Sequence, residues 1–174
     1  ATVAFNPLSR GGAAFISDND LAHVIKAIDA RAQQKGAPSV WATYGFARYD
    51  IYLPNLFRML GIKALDGVHP YPQPKMWLKI DPGRKYREAW NRYAHVRFTL
   101  PQEPDSFAID CLQVDLVLVQ LHPGDARFKA LGITHVMLLG DAAKFNGIRN
   151  LRRLASFSDK HIFEVIDPAA PSKD

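Results

Sequence analysis

The chain twice closes a helical segment with the tripeptide Leu-Gly-Ile and continues directly into an apolar strand. The first joint falls at residues 60–62 and the second at residues 131–133. Glycine is typical of a left-handed helix end, because it lacks the Cβ atom that makes a positive φ costly. Helices that alternate with strands in this way predict an α/β fold: a mixed, largely parallel sheet with helices on both faces.

Two apolar segments indicate where the centre of that sheet lies. VMLL at residues 136–139 and LVLV at residues 116–119 lack strict alternation, which is typical of strands buried on both faces. Residues 92–100 and 106–112 are strand-like and are separated by the turn-rich sequence PQEPD. This arrangement predicts that the two segments pair as an antiparallel edge of the sheet.

The other elements follow from apolar spacing and from helix-ending residues. A long helix is expected to begin at a Ser17 cap and to end at Gly36, and a second to begin at Pro54. Further helices are predicted at residues 84–93, 126–131 and 148–155, after an extended, proline-rich connection at 69–82. The strands are predicted at residues 1–5, 39–44, 62–65, 95–100, 107–112, 116–122, 133–139 and 161–166.

The length of 174 residues and the hydrophobic content of 48% predict one α/β domain over residues 1–167. The Pro/Ala/Ser/Lys-rich end, 168–174, is expected to be a disordered tail. The longest apolar run, 114–121, is far below the roughly 20 residues that cross a bilayer. The chain opens on a strand-like ATVAF without an initiator methionine, a start that is compatible with an excised piece of a larger protein and also with simple processing.

Charge and cysteine content narrow the classes of partner. The formal net charge of +5 is dispersed along the chain, so no nucleic acid is expected as a partner. The single cysteine, Cys111, lies near Ile109 and Leu112, which predicts a buried, inert thiol. One cysteine forms no internal disulfide, so cysteine usage does not identify the redox compartment.

Histidines and carboxylates suggest one possible reaction site. None of the six histidines has the spacing of a metal pair, and no cofactor fingerprint occurs, so neither metal nor cofactor is expected. His69 and His122 each precede a proline after a strand, and Asp141 follows the strand at 133–139. At the carboxyl ends of parallel strands they would suit a free-standing small α/β enzyme, a hydrolase or transferase. For Asp141, a role as the cap or turn residue of 142–144 is the favoured interpretation.

Residues 69–96 combine aromatic and basic side chains more densely than the rest of the chain. Tyr86, Trp90 and Tyr93 share one stripe of a helix beginning near residue 84. Such a stripe either packs on the sheet or, together with Trp77, lines a groove that binds sugar hydroxyls or phosphates. The candidate ligand-binding residues are Trp77, Arg87, Trp90, Asn91, Arg92, His69 and His122.

Five segments carry a resemblance to a known kind of protein: residues 5–12, 67–82, 89–98, 130–139 and 161–167. The most distinctive piece is NRYAH at residues 91–95. The chain resembles the soluble tail of large polytopic bacterial membrane proteins that are similar to GT-C-type membrane glycosyltransferases. In those proteins a multi-helix membrane portion precedes an extracytoplasmic α/β domain.

The resemblance implies a non-catalytic accessory domain on the extracytoplasmic, periplasmic face of a bacterial membrane. Its partners would be its own membrane-embedded domain and cell-envelope carbohydrate or a lipid-linked sugar. The chain departs from the full enzymes because it has neither membrane helices nor the acidic loop motifs of lipid-linked sugar transfer. Transferase activity is therefore not carried over to these residues.

Overall fold

The computed structural model describes residues 14–45, 53–103 and 105–167. The helices are α1 (Ala14–Ser17), α2 (Asp20–Gln34), α3 (Leu53–Met59), α4 (Pro74–Ile80), α5 (Arg87–Trp90) and α6 (Ala126–Leu131), with a 3-10 helix at Ala142–Phe145. The strands are β1 (Val40–Tyr44), β2 (Lys63–Ala64), β3 (Gly67–His69), β4 (Ala94–Thr99), β5 (Ala108–Gln113), β6 (Leu116–Gln120), β7 (His135–Leu139), β8 (Leu151–Phe157) and β9 (Lys160–Val165). The predicted strand at 1–5 and the predicted tail at 168–174 lie outside the described residues.

One sheet runs through these residues in the order β5-β6-β4-β1-β7-β9-β8, with β2 pairing to β1 and β3 pairing to β4. Strands β1, β4, β6 and β7 are parallel to their neighbours in the centre. The outer pairs β5–β6, β7–β9 and β8–β9 are antiparallel. The predicted α/β fold with a largely parallel sheet and an antiparallel edge is therefore confirmed.

Each face of the sheet buries its own hydrophobic core. Alternate residues of β7 point to opposite faces: Val136 and Leu138 to one core, Met137 and Leu139 to the other. Helices α2 and α3 cover the Met137 face, while α4, α5 and α6 cover the Val136 face. The expectation that helices cover both faces is confirmed, and β7 is buried along its whole length.

Strand β5 forms the predicted antiparallel edge, but its partner differs from the expected one. It pairs with β6, and β6 separates it from β4. Residues 114 and 115 form a two-residue turn between β5 and β6, and so short a connection makes consecutive strands neighbours. The predicted pairing of residues 92–100 with 106–112 is therefore wrong.

Two further element predictions are wrong. Residues 151–157 form strand β8 in place of the predicted helix, because a two-residue turn at 158–159 folds them back along β9. The connection at 69–82, expected to be extended, contains α4 with Pro74 at its first position, where a missing N–H costs nothing.

The helix ends follow local chemistry closely. Gly61 and Gly132 have φ values of 76° and 73°, as the Leu-Gly-Ile joints predict. Asn19, two residues after the expected Ser17, caps α2 by accepting a 2.9 Å bond from the Ala22 N–H. The helix predicted at 84–93 is only α5, since Arg84 adopts a φ of 57° that no helix interior accommodates.

Candidate functional site

A large cavity lies beside α6, on the face of the sheet that carries α4 and α5. Strand β6 leads through His122, Pro123 and Gly124 into α6, and residues 144–150 cross back over the same face after β7. The groove between them has a volume of about 750 Å³, a size suited to a small ligand. We call it the α6 cleft.

The walls of the α6 cleft combine an apolar surface with three cations. The apolar side chains are Phe128, Ile133, Ile148 and Val165. The cations are Lys129, Lys144 and Arg149. None of these three forms an ion pair with another residue in the described part of the chain. The carboxylates of Asp125 and Asp167 also line the cleft, so three cations face two anions and the formal charge of the described lining is +1.

The other polar groups of the cleft have defined hydrogen-bonding roles. Asp125 caps α6 by accepting from the Arg127 N–H at 2.7 Å, and it pairs with the Arg127 guanidinium at 2.9 Å. His122 accepts the Gly124 N–H on Nδ1 at 3.0 Å, which leaves Nε2 as a donor when the ring is neutral. Asn150 donates Nδ2 to the Pro123 carbonyl at 2.7 Å, so its side-chain oxygen is left as an acceptor.

Of the predicted ligand-binding residues, only His122 lines this cleft. Arg149 lies within the segment predicted as a helix at 148–155, and neither it nor the two lysines belongs to a recognisable motif. The structure brings Lys129 and Arg149 together because α6 and residues 144–150 cross the same face of the sheet. The Asn146-Gly147 turn after a buried strand was the one local indication that the chain reverses there.

Trp77 and Trp90 belong to the hydrophobic core. Their side chains are only 2% and 4% exposed, and their rings stack with centroids 6.2 Å apart. The Trp90 Nε1–H donates to Asp81 at 2.8 Å. Trp90 therefore packs inward and neither indole presents an open face to a ligand, whereas Tyr93, the last ring of the predicted stripe, is 47% exposed.

The basic and polar neighbours of these rings are divided between two places. Arg87, Asn91 and the edge of Trp90 meet in a shallow pocket of about 170 Å³. Arg92 turns away and donates to the Cys111 sulfur at 3.3 Å, to the Val114 carbonyl and to the Glu88 carbonyl. Ligand binding by Arg87, Asn91 and Arg92 stays a prediction.

Cys111 is exposed, so the prediction of a buried thiol is wrong. Strand β5 lies at the edge of the sheet, and its register shifts between Cys111 and Gln113. Such a bulge interrupts the alternation of the strand, so that side chains expected to point inward point to solvent instead. Leu112 is exposed for the same reason.

The structure separates the three residues considered for a reaction site. His69 ends β3 and pairs with Ala94, the first residue of β4, because β3 runs antiparallel to its neighbour. It therefore lies at the amino-terminal edge of the parallel strands, and its predicted place at the carboxyl edge is wrong. His122 and Asp141 follow the carboxyl ends of β6 and β7. Asp141 caps the 3-10 helix by accepting from the Ala143 N–H at 2.8 Å.

A buried polar cluster closes the fork between β1 and β4, which pair directly only at Tyr44 and Phe98. Asp66, between β2 and β3, accepts the Thr43 N–H at 3.1 Å. Its second oxygen and the Thr43 hydroxyl oxygen are buried without a hydrogen-bond partner among the described residues. Burial raises the pKa of Asp66 to about 7, although Thr43 and the Arg58 guanidinium favour its charged form.

No three His, Cys, Asp or Glu side chains in residues 14–45, 53–103 and 105–167 are grouped so that they would hold a metal ion. Within the same ranges, every helix is too short or too polar to cross a membrane.

No curated protein and no solved structure shows significant similarity to the chain. A sequence profile of the family described as a domain of unknown function, DUF7654, matches residues 15–169. The match covers most of the 174 residues and includes every side chain that lines the α6 cleft. The chain therefore belongs to the DUF7654 family.

Proposed function

We propose that this domain is a non-catalytic binding module whose α6 cleft takes an acidic or phosphorylated carbohydrate. The observation that carries the proposal is the trio Lys129, Lys144 and Arg149, unpaired within the described residues, around a cleft of about 750 Å³. A ligand with several negative charges or hydroxyl groups supplies these cations with hydrogen-bond acceptors.

The lining matches the mixed chemistry of such a ligand. The C–H faces of a sugar ring pack on apolar side chains such as Phe128 and Ile148. A carboxylate or phosphate group accepts charge-assisted hydrogen bonds from Arg149 and the lysines. Sugar hydroxyls find a donor in His122 Nε2 and an acceptor in the Asn150 side chain.

The arrangement favours binding over a reaction. Asp125, the carboxylate beside His122 in the cleft, already caps α6 and pairs with Arg127. A general base needs to reach the proton that it abstracts, and the Asp125 carboxylate is engaged with its own helix. The separation of His69 from His122 and Asp141 also argues against the small-enzyme alternative.

We also propose that the domain lies on the extracytoplasmic face of a bacterial membrane, tethered to a membrane-embedded part of the same protein. The resemblance of residues 67–82 and 89–98 to the tails of GT-C-like proteins supports this setting. Acidic cell-envelope carbohydrates and lipid-linked sugars are then the accessible ligands, and the domain also docks on its membrane portion. The reading frame upstream of Ala1 tests the setting: several apolar stretches of about 20 residues are expected there.

Calorimetric titration with uronic-acid oligosaccharides, sugar phosphates and their neutral counterparts tests binding in the cleft. We expect only the anionic compounds to bind, and Lys144→Gln and Arg149→Gln each to weaken binding about tenfold. Arg31→Gln is the matched control, because Arg31 is an exposed cation on α2 at the opposite face of the sheet. Equal binding of neutral sugars, or wild-type affinity in both cleft variants, would contradict the proposal.

A further inference from the structure

A second pocket, of about 430 Å³, lies at the amino-terminal edge of the parallel strands, between the end of α3, β2, β3 and α4. Five of its lining residues are basic: Arg58, Lys63, His69, Lys75 and Lys79. The other lining residues are uncharged: Ala64, Leu65, Pro70, Gln73, Met76 and Leu131. Among the described residues, no aspartate or glutamate lines this pocket, which we call the basic pocket.

We propose that the basic pocket binds a phosphate group, independently of the α6 cleft. The expected ligand presents a compact oxyanion with several negative charges. Its source is either a free phosphate or pyrophosphate compound or the headgroup of an anionic phospholipid.

The lysines supply charge that the domain itself does not neutralise. Lys63, Lys75 and Lys79 are exposed, and none of them forms an ion pair with another described residue. Like charges that line one concave surface repel each other and raise the local concentration of anions. A bound phosphate offers each ammonium group an oxygen acceptor and removes that repulsion.

Arg58 provides the fixed part of the pocket. Its guanidinium donates to the backbone carbonyls of Val68 and Asp66, the latter at 2.9 Å, and is half-buried. Burial lowers the pKa of Arg58, and the charge of Asp66 opposes that change. The Asp66 carboxylate itself is turned to the Thr43 N–H, so the hydrogen bonds of Arg58 go to neutral acceptors. Its position is set before any ligand arrives.

His69 forms a buried wall of the pocket, and the pKa of its imidazole depends on the charge that the pocket holds. Its Nε2 atom lies 2.8 Å from the Leu65 carbonyl and 2.9 Å from the Arg58 guanidinium. A neutral ring either donates to the carbonyl or accepts from the guanidinium, depending on its tautomer. Burial, together with Arg58, lowers the pKa of His69. An anion bound beside the ring favours the imidazolium and raises that pKa again.

The test uses the whole 174-residue chain and two probes. Pyrophosphate is titrated at constant ionic strength while the His69 imidazole C–H resonance is followed by NMR against pH. In parallel, the protein is sedimented with phosphatidylcholine vesicles that contain or lack phosphatidylglycerol. The double variant Lys75→Gln/Lys79→Gln removes two exposed charges of the basic pocket. The matched control is Lys26→Gln/Arg31→Gln, which removes two exposed cations of α2 that line neither the basic pocket nor the α6 cleft.

Pyrophosphate is expected to bind and to raise the pKa of His69. The double variant should weaken pyrophosphate binding about tenfold, whereas Lys26→Gln/Arg31→Gln should leave it unchanged. Binding to phosphatidylglycerol vesicles that the double variant weakens equally identifies a lipid headgroup as the source. Pyrophosphate binding without vesicle binding identifies a free phosphate compound.

Three results would overturn the inference: no binding of either probe, wild-type binding by the double variant, or pyrophosphate binding that leaves the His69 titration unmoved. The α6 cleft is judged separately by Lys144→Gln and Arg149→Gln. A negative binding result at one site therefore leaves the proposal for the other site unaffected.

Discussion

At the scale of the residue, Asp66 shows how one carboxylate completes a sheet. On the amino-terminal side of Tyr44 and Phe98, strands β1 and β4 diverge, which leaves the Thr43 N–H without a carbonyl partner on β4. Asp66 accepts this N–H in place of a strand. An amide hydrogen left unpaired in the interior costs free energy comparable to a lost hydrogen bond. The side chain therefore stabilises the fork, at the cost of burying a titratable group.

We expect Asp66→Asn to change how stability depends on pH. Because burial raises the pKa of Asp66 from 3.8 to about 7, the folded state binds more protons than the unfolded state within that window. The free energy of unfolding contributed by this group is therefore greatest below the lower value and falls as pH rises, by about 1.4 kcal/mol for each pH unit. The variant keeps an oxygen for the Thr43 N–H and cannot ionise.

Urea denaturation of the wild type and of Asp66→Asn across this pH range is the measurement. The difference between the two proteins isolates the carboxyl group, since His69 and His135, whose pKa values are lowered by burial, titrate in both. Parallel stability curves would show that Asp66 does not carry the predicted proton.

Trp90 shows why an amphipathic ring is hard to place from composition. The Asp81 carboxylate accepts from the Trp90 Nε1–H and from the N–H groups of Lys85 and Tyr86. The polar edge of the ring is therefore satisfied inside the protein. That partner is set by the turn between α4 and α5, so residue type alone did not distinguish a core ring from a binding surface.

At the scale of the element, a glycine with a positive φ follows two helices and one strand, for two different reasons. Gly61 and Gly132 need a positive φ, but a Cβ atom there would contact nothing within 4 Å. Gly45, at the end of β1, has a φ of 104°, and a Cβ atom there would lie 2.4 Å from the Leu139 carbonyl oxygen. Only the helix-ending glycines were recognisable from sequence, because the approach of β1 to Leu139 is a tertiary contact.

We expect Gly45→Ala to destabilise the protein more than Gly132→Ala. The change at Gly132 introduces backbone strain of about 1 to 2 kcal/mol, whereas the change at Gly45 adds a steric clash with backbone at the β1–β7 junction. Thermal unfolding of both variants, with Gly61→Ala as a second strain-only control, is the check. Equal losses at all three positions would mean that β1 and β7 separate readily at this end.

The wrong helix prediction at 148–155 has a physical origin in a bulge. Strand β8 shifts register between Arg153 and Ala155, which breaks the period of two that identifies a strand in sequence. Arg149, Arg152 and Arg153 then match a helical spacing. The hairpin with β9, formed through a short turn, decides the conformation.

At the scale of the whole molecule, a single sheet joins two cores. Trp41 belongs to the core under α2 and α3, while Trp77 and Trp90 belong to the core under α4, α5 and α6. Strands β1 and β7 contribute alternate side chains to both cores. Loss of packing in one core therefore disturbs strands β1 and β7, whose other side chains pack in the second core.

We therefore expect one cooperative unfolding transition. The chain has three tryptophans, so Trp41→Phe leaves fluorescence only from one core, and Trp77→Phe/Trp90→Phe leaves it only from the other. In each variant the fluorescence transition in urea should coincide with the far-ultraviolet circular dichroism transition of the same protein. Separate midpoints within one variant would show that the two faces unfold independently.

The sequence by itself determined the α/β class, the Leu-Gly-Ile joints and the buried strand at 135–139. These features depend on apolar spacing and on the φ that one residue can adopt, and both are local properties. Only the tertiary structure decided that β6 separates β5 from β4, that Trp90 is buried against Asp81, and that Lys129 and Arg149 line one cleft. Those outcomes depend on contacts between segments far apart in the chain, where packing of the whole sheet outweighs the preference of any single residue.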